Sequence, residues 1–255
     1  MLTAKPHKLK SDRADSNAIA KQNNSWISVG IAVAIISCWL FSLVKLLTID
    51  LAATPLILIL MAVALRAFLH TGIFIIIHEA IHGVIVADRR WNDRIGYIAS
   101  TLYAFLPYRA MSENHHLHHL NPATEEDPDF YSANPDRYFR WYFSFMREYQ
   151  SGKQFWILFW GMTVIFWSLI YFQISAANLF LFLVIPIIIS SLQLFTFGIF
   201  IPHKEHQQRS GDRHQARSIN YPVWLSFLAC YHFGYHWEHH QHPYLPWYKL
   251  PLVRD

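Results

Sequence analysis

The chain has 255 residues, of which 53% are hydrophobic, 16% are aromatic and only 15% are charged. This composition is too apolar for a soluble domain of that length and predicts a membrane-embedded protein. The formal net charge of +4 is spread along the chain without a long basic block, so nucleic-acid binding is not expected. Cys38 and Cys230 are the only cysteines, which excludes a disulfide framework and a thiolate metal site.

The chain begins with a polar, basic segment, residues 1–25, that precedes a long apolar run. That run is too long for a signal-peptide core and no convincing cleavage site follows it, so we expect an uncleaved first span. Residues 1–25 are therefore predicted to form a cytosolic N-terminal tail. Residues 26–255 are predicted to form a single membrane domain.

Four stretches meet the requirement of about 20 apolar residues for a helix that crosses a bilayer. They are residues 26–44, 51–86, 155–174 and 178–201. Two further apolar runs, residues 95–107 and 221–233, are too short to span, and we expect short helices at the membrane interface or beside a protein-lined cavity.

The second stretch is unusually long. As one helix, residues 51–86 would measure about 54 Å at 1.5 Å per residue, so its last third would project beyond about 30 Å of hydrocarbon. His78 and His82 would lie on that projection.

Lysine and arginine residues indicate the orientation of the spans. They cluster before the first span, between the second and third, and after the fourth, whereas the loops near residues 45–50 and 173–178 are nearly devoid of them. By the positive-inside rule, the three clusters and both termini are cytosolic. Nearly all of the 16 histidines then fall at or beyond cytosolic helix ends.

The histidines recur at helical spacings. "HEAIH" (78–82) places two of them four residues apart, and "HHLHH" (115–119) and "HWEHH" (236–240) each contain histidines at i, i+3 and i+4. Such spacings put the imidazoles on one helix face. Imidazole suits iron, zinc, copper or nickel, and so many nitrogens exceed what one ion accepts. Two metal ions that share about eight to ten histidines are the economical interpretation.

We expect nine histidine ligands. They are His78, His82, His115, His118, His119, His203, His236, His239 and His240. For the ninth ligand, His214 and His232 are the alternatives to His203. His116 points about 100° away from His115 and is not expected to bind metal. His7, His70, His206 and His242 are interpreted as surface or hydrogen-bonded core residues.

Carboxylates close to such a cluster commonly accept the distal N–H of a ligand imidazole and so orient it. We expect this supporting role for Glu79, Asp127 and Asp129, and His232 is a further candidate if it is not a ligand. A competing interpretation is that the acidic "EEDPD" stretch (125–129) is a solvated loop.

Six segments resemble a known family. They are "HEAIHG" (78–83), "HHLHH" (115–119), "EEDPDF" (125–130), "FGIFIPHKE" (197–205), "ARSI" (216–219) and "CYHFGYHWEHHQHPYLPWYKLP" (230–251). Together they resemble the membrane di-iron fatty acid desaturase and hydroxylase superfamily, and within it the β-carotene ketolases of bacterial and cyanobacterial type. The resemblance runs from about His70 to Pro251, with Glu79 and Phe130 where aspartate and tyrosine are usual.

The resemblance implies an all-α integral membrane protein with four transmembrane helices, a cytosolic histidine-rich di-iron cap and short interfacial helices. It implies two Fe2+ ions, O2 as co-substrate, and oxidation of carbon 4 of the β-ionone rings of β-carotene. Two hydroxylations and loss of water would give the ketones echinenone and canthaxanthin. The membrane would be a bacterial inner (cytoplasmic) membrane or a thylakoid membrane.

Electrons must come from a separate protein, because the sequence has no dinucleotide-binding glycine fingerprint and no four-cysteine iron–sulfur pattern. A ferredoxin-type donor is implied, and Arg89, Arg90 and Arg94 could attract it. Two alternatives stay open: another enzyme of the superfamily, either a fatty acid desaturase or a carotenoid hydroxylase, and a membrane metal carrier or sensor.

Overall fold

The structure is a computed structural model that describes residues 25–131, 136–204 and 214–254. The predicted N-terminal tail, with His7, lies outside the described residues except for Ser25, and His206 lies outside them too. Within these ranges the secondary structure is helical, without a strand. The predicted all-α class is confirmed.

Four helices are long and apolar enough to cross a membrane. They are α1 (Ser25–Leu46), α2 (Leu56–His82), α6 (Lys153–Tyr171) and α7 (Ala176–His203). With 19 to 28 residues each, they measure about 28–42 Å at 1.5 Å per residue. The prediction of four spans is confirmed.

Shorter helices account for most of the remaining described chain. They are α3 (Arg89–Ala104), α4 (Tyr108–Leu120), α5 (Tyr138–Tyr149), α8 (Val223–Cys230), α9 (His236–Gln241) and a final 3-10 helix, Trp247–Leu252. The apolar runs 95–107 and 221–233 fall largely in α3 and α8, so the prediction of short, non-spanning helices holds for both.

The second span is shorter than predicted. Residues 51–54 form turns before Pro55, and α2 ends at His82 because Gly83 adopts a left-handed conformation, with φ 71°. The N–H of Val84 then closes the helix on the carbonyl oxygen of Glu79 at 3.1 Å, a Schellman ending. The 27 residues measure about 40 Å, so the projection carrying His78 and His82 is about 10 Å long.

α7 contains two π-helical segments, Phe180–Val184 and Thr196–Phe200. Each precedes a short α segment with proline in its first turn, Pro186 and Pro202, where the missing N–H favours a wider turn. Nothing in the apolar pattern of 178–201 predicts these segments.

The central and outer helices differ in burial. α2 lies at the centre, packed against α1, α3 and α7. α6 has no fully buried residue: one side packs against Leu47 and Leu179, and the other side is exposed along its length. An apolar helix exposed in this way is expected in a protein surrounded by lipid.

Buried polar side chains join α1, α2 and α7 within the spans. Arg66 donates to the carbonyl oxygens of Phe182 at 3.1 Å and Trp39 at 2.5 Å, and Trp39 Nε1 donates to His70 Nδ1 at 3.0 Å. His70 is a hydrogen-bonded core residue, as predicted. These bonds fix the three helices relative to one another and hence the ends that carry the histidines.

Candidate metal centre

Nine histidines converge where α2 and α7 end and where α4 and α9 pack over them. They form two neighbouring groups. The outer group is His78, His82, His115, His119 and His239, and the inner group is His118, His203, His236 and His240. The structure thus brings together every histidine that the sequence predicts as a ligand.

In the outer group, ring nitrogens of His78, His82, His115 and His239 all lie within 4.8 Å of one another. His119 completes the group, because its Nε2 lies 3.1 Å from His115 Nε2 and 3.0 Å from His239 Nε2. His82, His115 and His119 are only partly buried. This group therefore faces the surface of the protein.

The inner group is buried at all four positions. His236 Nε2 lies 3.0 Å from the Nε2 atoms of both His203 and His240, and His118 Nε2 lies 3.1 Å from that of His240. The two groups adjoin, since the rings of His119 and His240 stack with centroids 4.2 Å apart.

Hydrogen bonds at the far nitrogens settle two ring tautomers. His118 Nδ1 faces the Asp127 carboxylate and His203 Nδ1 faces the carbonyl oxygen of Gln215 at 3.0 Å, and both partners can only accept. The Nε2 atoms of His118 and His203 therefore present lone pairs to the centre of the inner group. Lone pairs converging in a buried space repel one another unless a cation lies between them.

The distances between these nitrogens fit a metal ion. Two imidazole nitrogens bound at about 2.1 Å and at right angles would be about 3.0 Å apart, which matches the separations of 3.0 and 3.1 Å. His78 Nε2 is also buried without a hydrogen-bond partner among the described residues, and a metal would satisfy it. Two ions, one for each group, fit the residues present.

The protonation of the cluster also favours metal binding. Burial, reinforced by neighbouring histidines, holds the pKa of His115, His119, His236, His239 and His240 well below its ordinary value. These rings are neutral near pH 7, which is the form that coordinates metals.

Asp127 has the supporting position that the sequence predicts. Its carboxylate accepts from His118 Nδ1 at 2.9 Å, from Ala123 N at 2.8 Å and from Asp129 N at 2.9 Å. Burial would raise the pKa of Asp127, but the hydrogen bond and charge of His118, together with the N–H groups of Ala123 and Asp129, outweigh burial and lower that pKa. In turn, burial would lower the pKa of His118, but the hydrogen bond to Asp127 and the charges of Asp127 and Asp129 together raise that pKa.

Asp129 contacts tyrosine and tryptophan. Its Oδ1 accepts from the Tyr149 hydroxyl at 2.5 Å, and its backbone oxygen accepts from Trp141 Nε1 at 2.9 Å. Burial raises the pKa of Asp129 to about 6. Asp129 therefore fixes α5 to the 125–129 loop, whose Asp127 bonds His118.

Glu79 and His232 lie elsewhere than the sequence suggests. Glu79 Oε1 accepts from the backbone N–H of Trp247 at 3.2 Å, because one residue along α2 turns its side chain about 100° away from His78. His232 stacks on Tyr235 with ring centroids 5.2 Å apart. No hydrogen bond in the described part of the chain joins either residue to a histidine of the two groups.

The remaining histidines of the described residues lie outside both groups. His116 is exposed and its Nδ1 lies 2.5 Å from the Ser112 carbonyl oxygen. His214 has its ring centroid 6.3 Å from that of His240. His242 Nδ1 lies 2.9 Å from the Tyr244 hydroxyl.

The residues that hold α9 in place were not identified from the sequence. Glu238, inside the "HWEHH" motif, is buried; Ser218 Oγ donates to its carboxylate and Arg254 Nε lies 3.9 Å from it. Ser218 Oγ also accepts from the N–H of Trp237 at 3.1 Å. Ser218 lies in "ARSI" (216–219), one of the six segments that resemble the family, and this position was the sequence feature that could have indicated its role.

A cavity of about 100 Å³ adjoins both groups. Its wall includes His78 and His115 of the outer group and His118 and His236 of the inner group. The rest of the wall is mostly apolar, and it includes Phe74, Tyr103, Leu106, Leu194, Phe195 and Phe233. A ring-sized apolar group held there would lie beside both sets of imidazoles.

The fold and the histidine groups together define a membrane protein with a candidate two-metal centre. The family model for fatty acid desaturase matches residues 52–255, most of the chain. The chain is 37% identical to a β-carotene ketolase of Paracoccus sp. (strain PC1), over 89% of this chain and 92% of that protein. It therefore belongs to the β-carotene ketolases of the fatty acid desaturase family, and the resemblance seen in the motifs is confirmed.

Two further relatives agree. A β-carotene ketolase of Paracoccus sp. (strain N81106 / MBIC 01143) is 35% identical over 94% of this chain and 97% of its own length. A β-carotene 4-ketolase of Protosiphon botryoides is 37% identical over 77% of this chain, but the match spans only 51% of that longer protein. No solved structure matches the chain at a significant level.

Proposed function

We propose that this protein is a β-carotene 4-ketolase that oxidises carbon 4 of the β-ionone rings to a ketone. The observation that carries the proposal is the apolar cavity whose wall includes two histidines from each group. The names of the similar proteins support the substrate and the product. β-Carotene is itself apolar, and lipid-facing helices give it a route from the bilayer.

The metal that we propose is a pair of iron ions, one in each histidine group. When bound, the pair supplies the activation of O2 needed to oxidise an unactivated C–H bond. The chain orients these imidazoles, through Asp127 for His118 and the Gln215 carbonyl for His203. Apolar cavity walls, such as Phe233 and Leu194, exclude water around the reacting carbon.

The reaction requires electrons as well as oxygen. The first hydroxylation turns the ring CH2 into CHOH, and it consumes one O2, two electrons and two protons and releases one water. The second consumes the same again and gives a gem-diol, which loses water to leave the ketone. We propose a ferredoxin-type donor for these electrons.

The donor would approach the outer group, in which His82, His115 and His119 are only partly buried. Arg90 and Arg94 are exposed on α3, which follows His82 closely in sequence. The Arg94 guanidinium lies over the Trp91 ring at 4.6 Å, and Arg89 pairs with Asp93 at 3.0 Å. Exposed cations of this kind favour an acidic partner.

We also propose that the histidine groups and both termini face the cytosol, in a bacterial cytoplasmic or a thylakoid membrane. The support is the distribution of lysine and arginine, most of which lie on the histidine side of the spans. A reporter that is active only in the cytosol, fused after Asp255, should be active.

The test of function is expression in a bacterial host that produces β-carotene. Under air, the pigment should shift to 4-keto and 4,4'-diketo products, and without oxygen it should not. His236→Ala should abolish the shift, and His242→Ala, outside both groups, should preserve it. Accumulation of 3-hydroxy products, or desaturated lipids with unchanged carotenoids, would contradict the proposal.

A further inference from the structure

Gln150 places a buried, unpartnered amide oxygen at the apolar cavity. The residue directly follows α5, and its side chain forms part of the cavity wall. Its Oε1 atom is buried and has no hydrogen-bond partner among the described residues. A buried acceptor without a donor is costly, so such an atom indicates a donor that the protein itself does not provide.

Outside the two histidine groups, the other polar side chains of the described cavity wall are already engaged. The Tyr149 hydroxyl donates to Asp129 at 2.5 Å, and the Tyr103 hydroxyl lies 3.0 Å from Ser190 Oγ. Ser191 Oγ lies 2.9 Å from the Tyr142 hydroxyl. Gln150 differs from these groups because no donor among the described residues reaches its Oε1 atom.

We propose that Gln150 accepts a hydrogen bond from a hydroxyl group on the ring held in the cavity. This inference rests on the proposed function. β-Carotene is a hydrocarbon and offers no donor, but the alcohol formed by the first hydroxylation does. A ring that arrives already hydroxylated at carbon 3 offers the same chemistry.

The location makes either hydroxyl reachable. The same cavity wall contains His115, His118 and Asp129, so a ring beside the histidine groups also lies beside Gln150. For the new alcohol, the bond would hold the molecule at the site until the second oxidation. For a 3-hydroxylated ring, it would favour binding over an unsubstituted ring. Gln150 is thus a specificity residue that contacts the substrate.

The test uses the full-length protein in two pigment backgrounds. Gln150→Met keeps the length of the side chain and removes the acceptor, and Gln150→Leu is a second variant if the first accumulates poorly. Gln173→Leu makes a similar change at an exposed position between α6 and α7. The readouts are ratios of pigments within one culture, which do not depend on the amount of protein.

In β-carotene cells, Gln150→Met should raise the ratio of 4-hydroxy to 4-keto product about fivefold, the effect expected for one neutral hydrogen bond. In a second background, the cells also contain 3-hydroxylated rings. If the 3-hydroxyl is the group that Gln150 binds, the conversion of those rings relative to β-carotene should fall by a similar factor. A change in the first background assigns the bond to the new alcohol, and a change only in the second assigns it to the 3-hydroxyl.

Unchanged ratios in both backgrounds, with ketone still formed, would overturn the role of Gln150 and leave the proposed function intact. The same holds if Gln173→Leu alters the ratios as strongly as Gln150→Met. A wild-type protein that forms no ketone from β-carotene would overturn the proposed function, and the inference with it.

Discussion

His118 and Asp127 form a buried pair in which Nδ1 of the imidazole donates to the carboxylate at 2.9 Å, with each side chain only 1% exposed. The same imidazole turns its Nε2 toward the inner group, 3.1 Å from His240 Nε2. Asp127 therefore fixes both the tautomer and the direction of one proposed ligand. Because His118 contacts both Asp127 and His240, the pair also links the 125–129 loop to α9, which is far from it in sequence.

Asp127→Asn should weaken metal binding. The amide can still face His118, but it lacks the charge that stabilises the oriented ring, and the loss of such a partner typically costs about 10- to 100-fold in metal affinity. Iron retained after titration with a chelator measures this. Glu126→Gln, an exposed carboxylate of the same loop, is the control. Equal iron retention in the two variants would contradict the orienting role of Asp127.

Asp129→Asn should behave differently. Asp129 accepts from Tyr149, and within the described ranges no hydrogen bond joins Asp129 to a histidine, so iron should stay near the wild-type level. Because Asp129 also forms part of the cavity wall, conversion of β-carotene should fall several-fold. Iron content and pigment yield, measured on the same preparations, separate these effects. Complete loss of iron would make Asp129 a ligand or a structural requirement.

His203→Ala should remove a ligand of the inner group and lower the bound iron by about half, since the outer group has five histidines of its own. His214→Ala and His232→Ala should retain iron, because neither ring belongs to the two groups. Undiminished iron in His203→Ala, together with loss in either of the other variants, would show that the ninth ligand was assigned wrongly.

Gly198→Ala should destabilise the protein near the cavity. A β-carbon at Gly198 would collide with the Phe233 ring, which packs edge-on against His78 with centroids 4.9 Å apart. Overpacking of this kind costs about 1–3 kcal/mol. Gly30→Ala is the matched control, because nothing lies within 4 Å of its β-carbon. A melting temperature in detergent that falls equally in both variants, or in neither, would contradict this packing.

The spans and the histidine groups could be predicted because both follow from local patterns. A run of apolar residues indicates a span by its length, and histidines at i, i+3 and i+4 share a helix face wherever that helix packs. The end of α2 at Gly83 could have been anticipated from the glycine, but the continuous hydrophobicity up to Val86 obscured it.

Other features depend on which elements meet in three dimensions. Glu79 is adjacent in sequence to the proposed ligand His78, yet it meets Trp247 because α2 packs against the C-terminal 3-10 helix. The contacts of Glu238 with Ser218 and Arg254 join three separate segments. Gln150 carries no motif, and its importance rests on a cavity that exists only in the folded chain.

The most direct test of the two-metal centre is a count of iron in the purified full-length protein, by elemental analysis against quantitative amino-acid analysis. The arrangement of the nine histidines predicts about two iron ions per chain. It also predicts about one in a variant that lacks both His203 and His240. A single ion per chain in the wild type, or two ions that persist in that variant, would contradict the account.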